Sequence, residues 1–134
     1  MFGGTVPTPP PSQIGSISGP NAFAIDVVGE SFYQDALSTI CGGKTSAGHN
    51  KVAVAILIHE DDNPEHAMAI RVDIDGMTVG HLDRKNAREF RQMMTQAGHA
   101  GRTIVCNAKV VGGWHRGERG SGYFGVKLDL PYSP

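Results

Sequence analysis

The sequence predicts a mainly β domain with two helices, arranged as a small, partly closed antiparallel β-barrel of the OB type. Three features of the 134-residue chain lead there. Met68–Asp75 alternates without a break, with Ile70, Val72 and Ile74 on one side and Arg71, Asp73 and Asp75 on the other. Arg102–Val111 and Tyr123–Leu130 alternate in the same way. Such alternation marks a strand with one face on a core and one in water. Asp75-Gly76 is a strong two-residue hairpin turn at the end of one such run. Finally, apolar residues recur at helical spacing in only two stretches, each stopped by glycine. A chain of this length buries one core, not two.

The elements follow in order. Residues 1–21 are rich in Pro, Gly, Ser and Thr around Pro9-Pro10-Pro11. They lack the apolar area that offsets ordering, so a flexible arm is expected there, with one domain over 22–134. Ala22–Gly29 reads as the first strand. Ser31–Gly42 reads as a helix, with Phe32, Tyr33, Ala36, Leu37 and Ile40 on one face and Gly42-Gly43 as its stop. Residues 43–50 are a polar loop. Val52–Ile58 is an unbroken, β-branched apolar run, hence a buried strand. After the Met68–Asp75 strand and its turn comes Thr78–Leu82. Asp83 is a good N-cap for a helix over Arg84–Ala97, with Ala87, Phe90, Met94 and Ala97 as its apolar stripe and Gly98 as its stop. Arg102–Val111 places Ile104, Cys106, Ala108 and Val110 on one side. Gly112–Gly122 is a glycine-rich loop carrying Trp114, His115, Arg116 and Arg119, and Phe124, Val126, Leu128 and Leu130 form the last strand.

The net charge of −1 does not announce a nucleic-acid partner. Its distribution says more. Residues 1–83 hold three basic residues against ten acids, a balance of −7, and residues 84–134 hold nine against three, a balance of +6. The asymmetry fits either a positive face or a surface whose signs mix on folding. Cys41 and Cys106 form no paired motif, and Cys106 falls on an apolar strand face, so reduced thiols are expected. No segment approaches the roughly 20 apolar residues of a membrane span and no export signal opens the chain, so an intracellular protein is expected, cytoplasmic if bacterial.

Catalysis finds no support in the motifs: G-x-S-x-G, a phosphate loop, H-E-x-x-H and a DNA-cutting carboxylate cluster with lysine are all absent. Asp35 has no evident carboxylate partner. Glu60-Asp61-Asp62 resembles a metal-binding run, but Asn63-Pro64 explains it as a strand end entering a turn. Enzymatic activity by this chain is not expected, and no cofactor is implied. Six histidines lack the spacing of a structural zinc site; zinc becomes a reading only if the fold gathers His59, His66 and His81. Nucleic-acid binding fits better, because single strands are held by aromatic faces and cations. Phe32, Tyr33, Trp114, Tyr123 and Phe124 are candidate platforms. Arg84, Arg88, Arg91, Arg116, Arg119 and Lys127 are candidate phosphate contacts. The competing reading places Phe32 and Phe124 in the core and leaves the arginines to keep the surface soluble.

Three segments carry a resemblance to a known family. They are Val27-Val28-Gly29-Glu30-Ser31-Phe32-Tyr33, then Asp62-Asn63-Pro64 with Ala69-Ile70-Arg71-Val72, then Val79-Gly80-His81-Leu82. In this order and spacing the chain resembles a HIRAN domain from about Ala22 to Leu130, a β-rich module known mainly from Swi/Snf-type DNA-dependent ATPases. The resemblance implies binding of single-stranded DNA or 3′ ends in repair or replication-fork contexts, with a helicase or nuclease as a further partner. It implies that Phe32 and Tyr33, following Ser31, stack on terminal bases. Asn63 helps form the pocket for a terminal hydroxyl, His81 and Arg84 approach phosphates, and Phe124 closes the pocket. Members that grip a 3′ end carry a basic residue where this chain has Ser31, and a tyrosine and an aspartate where it has Glu65 and His66. The first departure removes a cation near phosphate. The second puts an imidazole in the hydroxyl pocket, and its preference between 3′-hydroxyl and 3′-phosphate is expected to change near neutral pH. Phe32 and Phe124 are expected to share one groove, with Arg84, Arg88 and Arg91 projecting together beside it. The alternative function is a peptide-binding module that recruits a DNA-processing enzyme.

Overall fold

A computed structural model describes residues 14–132. Seven strands and two helices follow one another as β1 (Ile14–Ser16), β2 (Ile25–Asp26), α1 (Gln34–Cys41), β3 (His49–Glu60), β4 (Ala69–Ile74), β5 (Met77–His81), α2 (Arg84–Gln96), β6 (Thr103–Gly112) and β7 (Phe124–Leu128). Short 3-10 turns cover Glu30–Phe32 and Gly117–Arg119. The main sheet runs β2-β7-β6-β3-β4-β5, every neighbour antiparallel. This is the partly closed antiparallel barrel that the alternation predicts.

Closure has a local cause. Beyond β2 the chain crosses to the far end of the sheet, where Val28 N–H donates to the His81 carbonyl at 2.9 Å and His81 N–H donates to the Val28 carbonyl at 3.0 Å. The crossing is close because residue 80 is glycine. Its φ is +152°, and a Cβ there would collide with Val27 Cγ1 and lie 2.6 Å from the Val28 carbonyl oxygen. A register shift between Val72 and Asp73 bends β4 against β5 at the same place. Asp75 and Gly76 both take positive φ, at 52° and 76°, as the two-residue hairpin turn requires.

The alternating positions deliver the core. Ile70, Val72 and Ile74, Ile104, Cys106, Ala108 and Val110, and Phe124, Val126 and Leu128 are all buried. β3 departs from expectation. The unbroken run concealed its period: Ala55 and Leu57 face the core, whereas Val52 and Val54 are 61% and 55% exposed on the open face. Helix α2 matches the expected caps, with Asn86 N–H donating to Asp83 Oδ1 at 2.7 Å, and buries Ala87, Phe90 and Met94. Helix α1 begins three residues later than expected. Gly29, at φ 77°, turns the chain into the 3-10 turn, and Tyr33 leaves helical geometry before Gln34 starts the helix. Leu37 and Ile40 therefore form its buried face, and Phe32 is left off the stripe.

The expected first strand over Ala22–Gly29 contracts to two residues and one bridge. The expected arm divides. Residues 1–13 lie outside the described residues. Ile14–Ser16, however, pair in parallel with Thr103–Val105 on the edge of β6 that β7 leaves open. Ile17 N–H extends that pairing to the Val105 carbonyl at 2.9 Å, and Asn21 N–H donates to buried Asp129 Oδ1 at 2.9 Å. Ile14–Ile17 and Asn21 are thus hydrogen-bonded to the rest of the domain.

Candidate nucleic-acid interface

The 3-10 turn before α1 and the end of β5 bring the first and third motif segments together. Ser31 is exposed, and Phe32 is 86% exposed. The turn beneath it is fixed by the side chain of Gln34. Gln34 Nε2 donates to the Glu30 carbonyl at 2.9 Å and to the Phe124 carbonyl at 3.0 Å, while its Oε1 accepts from Phe124 N–H at 2.8 Å. One amide thus ties the aromatic turn to β7 in place of a ladder. Half-buried Tyr33 leans on His81, ring centroids 6.5 Å apart at 46°. The His81 Nε2 lies 2.7 Å from Glu60 Oε1, and Glu60 Oε2 meets Arg71 at 3.5 Å, so His81 is oriented from behind.

The turn after β3 consumes its own polar groups. Asn63 Oδ1 accepts from the N–H groups of Glu65 at 2.9 Å and His66 at 3.2 Å, and its amide faces Glu60 at 3.4 Å. This is the turn chemistry that Asn before Pro suggests, and it occupies the Asn63 side chain within the turn. Next to it the His66 ring lies at the surface with Nε2 shut off from solvent and unpartnered. Burial first, then the charges of Arg84, Arg91 and His81, hold its pKa below the ordinary histidine value. The protonation change expected near neutral pH is moved to lower pH.

The three helix arginines do not act as one row. Arg84 is exposed and donates to the Glu65 carbonyl at 3.0 Å. Arg88 is exposed and makes no hydrogen bond or ion pair among the described residues. Arg91 is spent on the fold: it donates to the carbonyls of Met68 at 2.8 Å and Ala69 at 3.1 Å and pairs with Asp61 at 2.8 Å. Lys127 pairs with Asp26 at 2.7 Å.

Phe124 corrects the expectation of a shared groove. It is 1% exposed, stacked on His49 at 5.5 Å and covered by Gly113, where any Cβ would collide with its ring. Strand alternation turns it inward, and its neighbour Tyr123, 73% exposed, is the ring that faces water. The same alternation separates the histidines. His59 turns to the α2 side and packs on Phe90, ring centroids 6.2 Å apart, whereas Glu60 and His81 share the other face. Among the described residues no three His, Cys, Asp or Glu side chains are placed to hold a metal ion. Cys41 and Cys106 are free thiols, and burial, helped by Asp129, pushes Cys106 up to about 12. Among the described residues no helix is long and apolar enough to cross a membrane.

Two residues of this region carry no mark in the sequence. Gln34 reads as an ordinary helix residue and Glu60 as part of an acidic run. Only the pairing of distant segments gives them work. The chain matches no family model, no curated protein and no solved structure.

Proposed function

We propose that this domain binds single-stranded DNA or DNA ends, with a base stacked on Phe32. The observation that carries the reading is the 86% exposure of Phe32 on a turn built to hold it there. A phenylalanine left in water forgoes about 2 kcal/mol of burial, while a ring with a free face offers a base ~1–3 kcal/mol of stacking. Tyr33 leaning on His81 follows that ring in the chain, and exposed Arg84 and Arg88 are the charge proposed for the phosphates. The resemblance to HIRAN domains supports the same ligand and a setting at DNA repair or replication forks, with a helicase or nuclease as partner. Ser31 and the self-bonded Asn63 argue for looser 3′-end selectivity than the family pattern implies. His66, held neutral, suits a 3′-hydroxyl better than a 3′-phosphate.

Fluorescence anisotropy with single-stranded oligonucleotides bearing 3′-hydroxyl, 3′-phosphate or blocked 3′ ends tests this. Phe32→Ala is expected to weaken binding about tenfold with its circular dichroism and melting unchanged. Equal affinity in wild type and variant would refute the role given to Phe32. Peptide binding at the Phe32 turn with no DNA binding would assign that surface to protein recognition.

A further inference from the structure

We infer that a bound single strand continues from Phe32 past Tyr123 to a second station, the corner where the loop after α1 meets the loop between β6 and β7. The inference rests on the single-strand reading above and extends its site. The corner is glycine-rich yet firmly tied. Within the second loop, Gly122 N–H donates to the Trp114 carbonyl at 2.9 Å and Arg116 N–H to the Gly120 carbonyl at 3.0 Å. Between the loops, Thr45 N–H donates to the Gly113 carbonyl at 3.1 Å, His115 N–H to the Thr45 carbonyl at 2.8 Å, and Arg116 Nε to the Ser46 carbonyl at 2.9 Å.

Two rings sit on this frame, each with a cation over it. Arg116 lies 4.7 Å from the Trp114 ring and Lys44 5.8 Å from the Tyr123 ring. Tyr123, at 73% exposure, keeps ring surface open to a ligand. The pairing of aromatic face with cation is what a sequence-tolerant single-strand path needs at each step. The Gln34 clamp joins this station to the first, since Tyr123 precedes the clamped Phe124 and Phe32 lies two residues before Gln34.

Charge sets the direction of travel. Glu60 ends β3, with Asp61, Asp62 and Glu65 after it, and the corner adjoins its beginning, where His49 pairs with Gly112. A strand of this length separates the two on the order of 30 Å. At the end of β3 the cations Arg71 and Arg91 are already paired with Glu60 and Asp61, whereas the corner offers Lys44, Arg116 and Arg119 against Glu118 alone.

The test is anisotropy of the full chain with thymidine oligonucleotides of about four and about twelve nucleotides, within the span such folds cover. Wild type is expected to bind the longer one roughly tenfold more tightly. Lys44→Glu, at an exposed loop position, is expected to bring that ratio close to one, and Tyr123→Ala to reduce it. A length gain kept in Lys44→Glu would overturn the second station. So would a wild type that binds the short oligonucleotide and gains nothing from length, with the Phe32 site left standing. Failure of the wild type to bind either length would remove the single-strand reading itself, and this extension with it.

Discussion

Phe32 and Phe124 are the same residue type in two different environments, and their substitution separates the environments. Phe124→Ala empties a buried ring site under Gly113 and beside His49 and is expected to cost about 3–5 kcal/mol in urea unfolding. Phe32→Ala removes a ring that touches water and is expected to leave stability within about 0.5 kcal/mol. A large loss for Phe32→Ala would return it to the core. The histidines give the residue scale its pH dependence. His59 has both ring nitrogens buried without partners. Burial first and the Arg91 guanidinium second depress its pKa, against the smaller opposing pulls of Asp61 and the Arg102 backbone. The folded state therefore takes up the proton less readily than the unfolded chain. The stabilisation this gives is fully present above the ordinary histidine value of about 6.5 and is lost as pH falls below it toward the lower folded value. Melting temperatures between about pH 8 and about pH 5.5 should fall on the acid side, and His59→Phe, which keeps a ring on Phe90, should flatten the fall.

At the scale of elements, side chains do the joining where backbone ladders stop. Arg91 holds the turn after β3 onto α2, so Arg91→Ala is expected to cost about 2 kcal/mol and to speed amide exchange over Ala67–Ile70. Unchanged exchange there would show that the turn holds itself. Gln34→Glu tests the other junction. A carboxylate still accepts from Phe124 N–H but cannot donate to the Phe124 carbonyl, which makes loss of about 1–2 kcal/mol the expected result. These junctions also explain what could be read beforehand. β4, β6, β7 and α2 were legible because each has one buried face, which fixes its period, and because Asp83 and Asp75-Gly76 signal their boundaries locally. β3 was legible as a strand but not as a two-faced one, since Val52–Ile58 offers no polar residue to mark the open side. The start of α1 was missed because Gly29 redirects the chain. That shift is also what frees Phe32. Of the candidate residues, Tyr33 and His81 meet beside the turn that carries Phe32, Arg84 reaches the turn after β3, and Arg88 and Tyr123 stand exposed. Phe124 and Arg91 were legible only as types: whether an aromatic stacks or packs, and whether an arginine is open or stapled, depends on partners far off in the chain.

At the scale of the molecule, folding mixes part of the sequence's charge asymmetry. Arg91 with Asp61 and Lys127 with Asp26 neutralise across the two halves. Arg84, Arg88, Lys44 and Arg116 have no acidic partner among the described ion pairs; Arg84 and Arg88 stand on α2 and Lys44 and Arg116 at the loop corner. A single strand that contacts all four releases counterions from about four phosphates, so log K should fall with log salt at a slope of roughly −3. Arg88→Ala should make the slope shallower by ~0.7 and lower the affinity for all sequences alike, since a phosphate contact carries no base preference. Arg91→Ala, by contrast, should change stability and leave the slope in place, because its guanidinium is already paired within the fold. Equilibrium titrations across a range of salt concentrations measure both. A slope near zero with binding intact would mean that the ligand is held without its phosphates. That outcome would turn the exposed rings and the basic corner toward a peptide instead.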